Sequence, residues 1–267
     1  MDNVIAMAFL LPLLAGLFTG IGGLIALFTK RTDKNFLAIC ISFSAGVMIY
    51  ISFVEIFFHS KESLSVVYGH DMSVMLTTAA FFGGIIFVAL IDRFIPHEDE
   101  ALDKLTAASD GELDSKDTRA LKRMGVMTAI AIAIHNFPEG LVTFIATLHD
   151  PSVGLAIAVA IAIHNIPEGI AVAAPIHYAT GSKKKALIWS FASGLAEPLG
   201  ALVAFAFVRQ IANETVVGLI FAGVGGIMIY ISFHQLLPTA IKFGEHHKVM
   251  NGLFAGMAVM ALSLFVL

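Results

Sequence analysis

Residues 135–140 read His-Asn-Phe-Pro-Glu-Gly, and residues 164–169 read His-Asn-Ile-Pro-Glu-Gly. The copies stand 29 residues apart, and each closes an apolar run, Ile130 to Ile134 before the first and Val159 to Ile163 before the second. A histidine, an amide and a carboxylate inside an apolar stretch decide how the rest of the chain is read. Ionisable groups deep in a membrane segment are costly and mark function.

The surroundings make a membrane the solvent. Of 267 residues, 58% are hydrophobic and 13% charged, and the mean hydropathy is +0.87. A soluble domain carries about 25% charged residues. The net charge of −4 gives no footprint for nucleic acid. The single cysteine, Cys40, excludes an intrachain disulfide and a thiolate metal cluster. No basic segment precedes the first apolar run, so no cleavable signal peptide is expected.

Outward from the paired motif, eight apolar segments are expected at 4–28, 36–58, 72–95, 124–147, 152–175, 186–208, 214–237 and 249–267. Each is near the ~20 residues that a spanning helix needs. Lipid leaves backbone groups no outside partner, so the segments are expected to be helices. The fold class is therefore an all-α polytopic membrane protein with a single transmembrane domain over 1–267. The 96–123 stretch is read as a polar cytoplasmic loop.

The loops after the odd-numbered segments hold 14 of the 16 basic residues. The positive-inside rule puts those loops in the cytoplasm and both termini outside. The bacterial cytoplasmic (inner) membrane is the expected location. The 96–123 loop holds eight of the 20 acidic residues and reads as a solvated linker. Weak cation capture by His97, or by His246 and His247 before the last segment, is a thinner reading.

Met-Ile-Tyr-Ile-Ser-Phe occurs at 48–53 in the second segment and again at 228–233 in the seventh. Segments two and seven run in opposite senses, as do four and five. The pattern is that of a 3+2+3 inverted repeat with kinked helices 4 and 5 at its centre, a ground plan for transporters with a midplane site.

The spacing within the motif specifies its chemistry. At 3.6 residues per turn His135 and Glu139 project about 40° apart, with Asn136 about 100° from His135. Glu139 thus projects between His135 and Asn136, and Glu168 between His164 and Asn165. Two such helices face to face would let the carboxylates bridge two cation positions. Pro138 and Pro167 lack an N–H, which frees the carbonyls of Ile134 and Ile163. Imidazole with carboxylate suits zinc and accepts iron(II), manganese, cobalt and nickel. The sixth segment adds Glu197 before Pro198, a buried acid with no nearby basic residue and a suitable metal ligand. Glu55 and His59 in the second segment, with His234 and Gln235 in the seventh, are candidates for a transport path. Asp92 and Arg93 read as the inner end of the third segment, and His70, His149 and His177 as surface histidines.

With these residues in view, the chain resembles the ZIP (ZRT/IRT-like) family of divalent metal permeases, in its bacterial zinc-uptake branch, over essentially its whole length. The paired motif and Ser-Gly-Leu-Ala-Glu-Pro at 193–198 carry the resemblance. It implies uptake of zinc and other divalent metals into the cytoplasm, through a binuclear centre between helices 4, 5 and 6. By motif position the ligands would be His135, Asn136, Glu139, His164, Asn165, Glu168 and Glu197. Two departures stand out. Many relatives carry a histidine-rich cytoplasmic loop where this chain is acidic, and some have aspartate where Asn165 stands.

The expectation is thus a permease moving Zn²⁺, with Fe²⁺, Mn²⁺ and Co²⁺, by alternating access. Its partners are divalent metal ions and the lipid bilayer, with a homodimer among the expected assemblies. No prosthetic group and no enzymatic activity are expected. Metal efflux is the alternative within transport. An intramembrane zinc-dependent hydrolase is the alternative from another class, but the chain has no His-Glu-x-x-His. It also has no phosphate-binding Gly-x-x-x-x-Gly-Lys, so ATP does not drive it directly.

Overall fold

A computed structural model describes residues 2–28, 34–93, 115–208 and 213–266. These residues form eight helices long and apolar enough to cross a bilayer. We number them in chain order. Helix α1 is Asp2–Ala26. Helix α2 runs Lys34–Ile51, passes through a π turn at Ser52–Ile56 and continues as Phe57–Tyr68. Helix α3 is His70–Asp92, α4 is Ser115–His149 and α5 is Pro151–Thr180. Helix α6 is Lys183–Gly194 followed by Ala196–Val203. Helix α7 runs Glu214–Ile231, through a π turn at Ser232–Leu236, to Leu237–Phe243, and α8 is His246–Val266.

Local chemistry sets several of these ends. Asp150 caps α5 by accepting the Ser152 amide at 2.8 Å, with Pro151 at the first helical position. Gly181 ends α5 at φ 62°, a left-handed conformation that suits glycine. Asn213 caps α7 by accepting the Val216 amide at 3.0 Å. Helix α4 starts at Ser115, inside the stretch that hydropathy assigns to the polar loop. Charged residues such as Lys116, Arg119, Lys122 and Arg123 extend a helix as readily as apolar ones do. The remainder of that polar tract, with His97, lies outside the described residues.

The repeated hexapeptide has a structural counterpart. In both copies it leads into a π turn, and the serine hydroxyl donates back to the methionine carbonyl: Ser52 to Met48 at 2.7 Å and Ser232 to Met228 at 2.8 Å. A π turn inserts an extra residue into the helix and re-aims the face beyond it. Glu55 lies within the first turn and His59 follows it, while His234 and Gln235 lie within the second.

Packing is matched as well. Gly46 abuts the Leu253 carbonyl and Gly256 the Phe43 carbonyl; Gly226 abuts the Phe81 carbonyl and Gly84 the Gly223 carbonyl. The second pair is the first with α2 positions advanced by 180 into α7 and α8 positions reduced by 172 into α3. Both helix pairs are parallel: Gly252 meets Ile39 and Ser42 while Gly256 meets Phe43 and Val47, and Gly223 meets Ala80 while Tyr230 meets Asp92. In lipid such close backbone approach, more than apolar burial, holds helices together.

Helices α4, α5 and α7 bury most of their apolar stretches (65%, 67% and 67%), whereas α3 and α8 bury only 22% each. The former make the centre of the bundle. Phe82, Ile86 and Phe87 of α3 and Leu262 and Phe265 of α8 point outward, as lipid-facing residues do. Inside, Phe144 of α4 packs between Phe9 (tilted) and Phe205 (edge-on), at ring separations of 4.9 and 6.1 Å.

Candidate metal centre

The two motifs lie on adjacent antiparallel helices and meet crosswise. His135 Nε2 of α4 is 3.1 Å from Glu168 Oε1 of α5, and His164 Nε2 of α5 is 3.4 Å from Glu139 of α4. Both helices continue through Pro138 and Pro167 without a break. The i,i+4 spacing that places each histidine beside its own glutamate also places it opposite the other helix's glutamate. His135, Asn136, Glu139, His164, Asn165 and Glu168 are all 0–1% exposed.

Glu197 joins from α6. The helix is interrupted at Leu195, so Glu197 lies in the first turn of a new segment, Ala196–Val203. A carboxylate near a helix N-terminus is favoured by the peptide dipoles. The Asn165 amide donates to Glu197 and, at 2.9 Å, to the Ala15 carbonyl of α1. Close approach brings α6 here: a Cβ on Gly140 would collide with the backbone of Glu197. Ser44 of α2 adds a hydroxyl, donating to the His164 carbonyl at 3.3 Å. Nothing in the sequence flagged Ser44, which stands in an apolar run.

As the side chains stand, they are turned on one another in pairs. Among the described residues, no three His, Cys, Asp or Glu side chains converge on one point tightly enough to hold an ion. Several buried polar atoms nevertheless have no hydrogen-bond partner: both ends of the Asn136 amide, Asn165 Oδ1, His164 Nδ1, Glu168 Oε2 and Glu197 Oε2. Each such atom costs about 1–3 kcal/mol if left unpaired. Three carboxylates, two imidazoles and two amides, sealed from water, form a donor set that a divalent cation would satisfy.

The remaining candidates lie away from this cluster, in two groups. Glu55 and His59 lie towards the end of the bundle where His149 Nε2 is 2.8 Å from Glu214 Oε1 and the His59 ring is 6.4 Å from the His149 ring. His149, read from sequence as an ordinary surface residue, is thus held by an acid at the start of α7. His234 and Gln235 lie about 30 Å further along α7 from Glu214, at 1.5 Å per residue. There Asp92 accepts from Tyr230 at 3.0 Å and from Gln235 at 2.9 Å, and stands 3.0 Å from His234 Nε2. Asp92 is only 4% exposed and organises this group, a role that its place beside Arg93 at a helix end concealed.

Comparison with known proteins bears on the same residues. A family model described as ZIP Zinc transporter matches residues 95–264, which include both motifs and Glu197. The zinc transporter ZupT of Clostridium perfringens is 50% identical over 279 aligned positions, which cover 100% of this chain and 97% of that protein. The proteins of the same name from Oceanobacillus iheyensis and Nitratidesulfovibrio vulgaris are 52% and 51% identical. The first alignment covers 100% of both chains, the second 99% of this chain and 98% of its relative. The chain belongs to the ZIP family of zinc transporters.

Proposed function

We propose that this protein carries Zn²⁺ across the bacterial cytoplasmic membrane into the cytoplasm, through a binuclear centre in α4, α5 and α6. The observation that carries the reading is the crosswise pairing of His135 with Glu168 and His164 with Glu139 inside a sealed bundle, beside Glu197. Glu139 and Glu168 are the bridging carboxylates, and His135, Asn136, His164, Asn165 and Glu197 complete the two positions. Fe²⁺, Mn²⁺ and Co²⁺ are further cargo, since imidazole and carboxylate accept them too.

The ligands replace the cation's water shell as it enters. The histidine–glutamate pairs must open to admit it. The zinc-transporting relatives favour transport over the hydrolase alternative. Matched packing of α2 on α8 and of α7 on α3 supports an inverted repeat and alternating access around the centre. The His59–His149–Glu214 group then belongs to the outer mouth and the Asp92–His234–Gln235 group to the inner one, with both termini outside. Two such chains form a homodimer in this reading.

Proteoliposomes loaded with a zinc-sensitive dye test it. Glu139→Ala, Glu168→Ala and Glu197→Ala should each abolish flux that the parent protein supports. Unchanged flux in all three would sink the centre. Accumulation of radiolabelled zinc by cells separates uptake from efflux.

A further inference from the structure

The glycine contacts around the centre are matched across the two halves of the bundle. Gly140 of α4 abuts the Glu197 carbonyl of α6, and Gly169 of α5 abuts the Thr19 carbonyl of α1. Gly200 of α6 abuts the Phe137 carbonyl, and Gly22 of α1 the Ile166 carbonyl. Gly16 and Gly194 each abut the other's carbonyl. One rule generates every pair: α1 positions advance by 178 into α6, and α4 positions by 29 into α5. The rule maps Thr19 onto Glu197 and Asn136 onto Asn165.

Side chains obey it too. A Cβ placed on Gly16 would lie 3.6 Å from the Glu197 Cβ, and one on Gly194 would lie 3.1 Å from the Thr19 Cβ. Thr19 therefore holds on α1 the place that Glu197 holds on α6. The two halves differ in what fills that place. On one side Asn165 donates to the Glu197 carboxylate. On the other, Thr19 Oγ1 and both polar atoms of Asn136 are buried without a hydrogen-bond partner, and both residues are 0% exposed. A threonine hydroxyl stops about 2 Å short of where a glutamate carboxylate reaches from the same Cβ. Unpaired donors and acceptors sealed from solvent are costly. A gap of that size between polar groups suits a bridging water.

We propose that Thr19 is a specificity-determining residue of the metal centre. With Asn136 it forms a neutral half that takes a divalent cation with one water retained on it. The Glu197 half takes its cation on a carboxylate. The inference rests on the reading of the paired motifs as a zinc centre. It makes the centre unequal by design: both positions share the bridging carboxylates, but the one that adds Glu197 holds its ion tightly, and the less charged, water-bearing one releases its ion readily. Weaker attraction from neutral oxygen ligands in a low-dielectric site supplies the difference.

The test uses the full chain, in proteoliposomes for transport and in detergent for thermal unfolding with and without Zn²⁺. Thr19→Val removes the hydroxyl at nearly constant shape, and Thr19→Ser keeps it. Thr19→Val should raise the zinc KM about tenfold, the effect of losing one hydrogen bond to a cation-bound group, with kcat held within about twofold. Its metal-free unfolding temperature should equal or exceed that of the parent, because an unpaired buried hydroxyl is gone, while its Zn²⁺-dependent rise shrinks. Thr19→Ser should stay within about twofold of the parent in KM. Thr19→Glu should bind zinc more tightly and turn over more slowly. A Thr19→Val protein with the parent's KM and Zn²⁺-dependent rise overturns the inference, as does equal impairment of the serine and valine variants. A parent protein with no Zn²⁺-dependent rise, matched by its Glu139→Ala variant, overturns the centre itself and this inference with it.

Discussion

His135 Nε2 on α4 lies 3.1 Å from Glu168 Oε1 on α5, across the contact between the two antiparallel motif helices. The pair is fully buried, and its mirror, His164 with Glu139, stands 3.4 Å apart. Each carboxylate is thus held by the histidine of the other motif. In the proposed centre, a cation entering between them would exchange two hydrogen bonds for ligand bonds. Glu168→Gln keeps the shape of the side chain and removes its charge. Zinc flux should fall at least about 100-fold, as expected for loss of a metal ligand. Metal-free stability should change by less than about 1 kcal/mol or rise, since a buried charge is neutralised. Initial rates in dye-loaded proteoliposomes and thermal unfolding read the two effects separately.

Close approach of backbones holds the motif helices in place. A methyl group at Gly140 or Gly169 would collide with the carbonyl of Glu197 or Thr19. Gly140→Ala and Gly169→Ala should each destabilise the protein by about 1–3 kcal/mol, the usual cost of overpacking, and reduce transport with it. Gly83 supplies the control, because nothing lies within 4 Å of a Cβ built there. Gly83→Ala should be neutral or stabilising by up to about 1 kcal/mol through helix propensity. Thermal unfolding in detergent checks the contrast.

Asp92 gathers Tyr230, His234 and Gln235 near the end of α3. Asp92→Ala should lower the zinc turnover rate about tenfold, while the affinity of the centre changes less than about twofold, because the proposed function puts the group off the centre, at the inner mouth. Measuring kcat by dye flux and affinity by zinc titration separates them. A loss of affinity equal to the loss of rate would place Asp92 in the centre instead.

The α4–α5 turn predicts a simple pH dependence. The Ser152 amide donates to Asp150 and holds its carboxyl below the usual carboxylate range. A depressed folded-state pKa stabilises the fold above the unfolded value, near 3.9, and that contribution disappears as pH falls through the folded value. Between about pH 5 and 8 the capping contribution should be constant, and it should decline only below about pH 4. Asp150→Asn keeps a capping oxygen and should abolish that decline, whereas Asp150→Ala should lower the unfolding temperature at every pH. Unfolding curves across that range test both.

Much of this was legible in the sequence because it is local. Eight apolar runs of spanning length, the paired motif, and Glu197 before Pro198 all declare themselves by composition and spacing. What escaped is non-local. Asp92 looked like a helix end beside Arg93, yet it is matched with three residues of α7 some 140 positions away. His149 gave no sign of Glu214, and Ser44 and Thr19 are ordinary residues of apolar helices until their neighbours are known. The start of α4 at Ser115 escaped for a different reason. Hydropathy reports where lipid begins, and a helix can continue past that point on charged residues. The hexapeptide repeat signalled that α2 and α7 are related, but the π turns that end both copies depend on hydrogen bonding that no residue pattern announces.

The central claim is that the crossed motifs and Glu197 form one zinc site. Titration of the purified full chain with Zn²⁺ tests it most directly, comparing the parent with Glu139→Ala, Glu168→Ala and Glu197→Ala. The account predicts two zinc ions per chain in the parent, loss of at least one in each variant, and loss of flux in parallel. Two zinc ions retained at parental affinity in all three variants would contradict it.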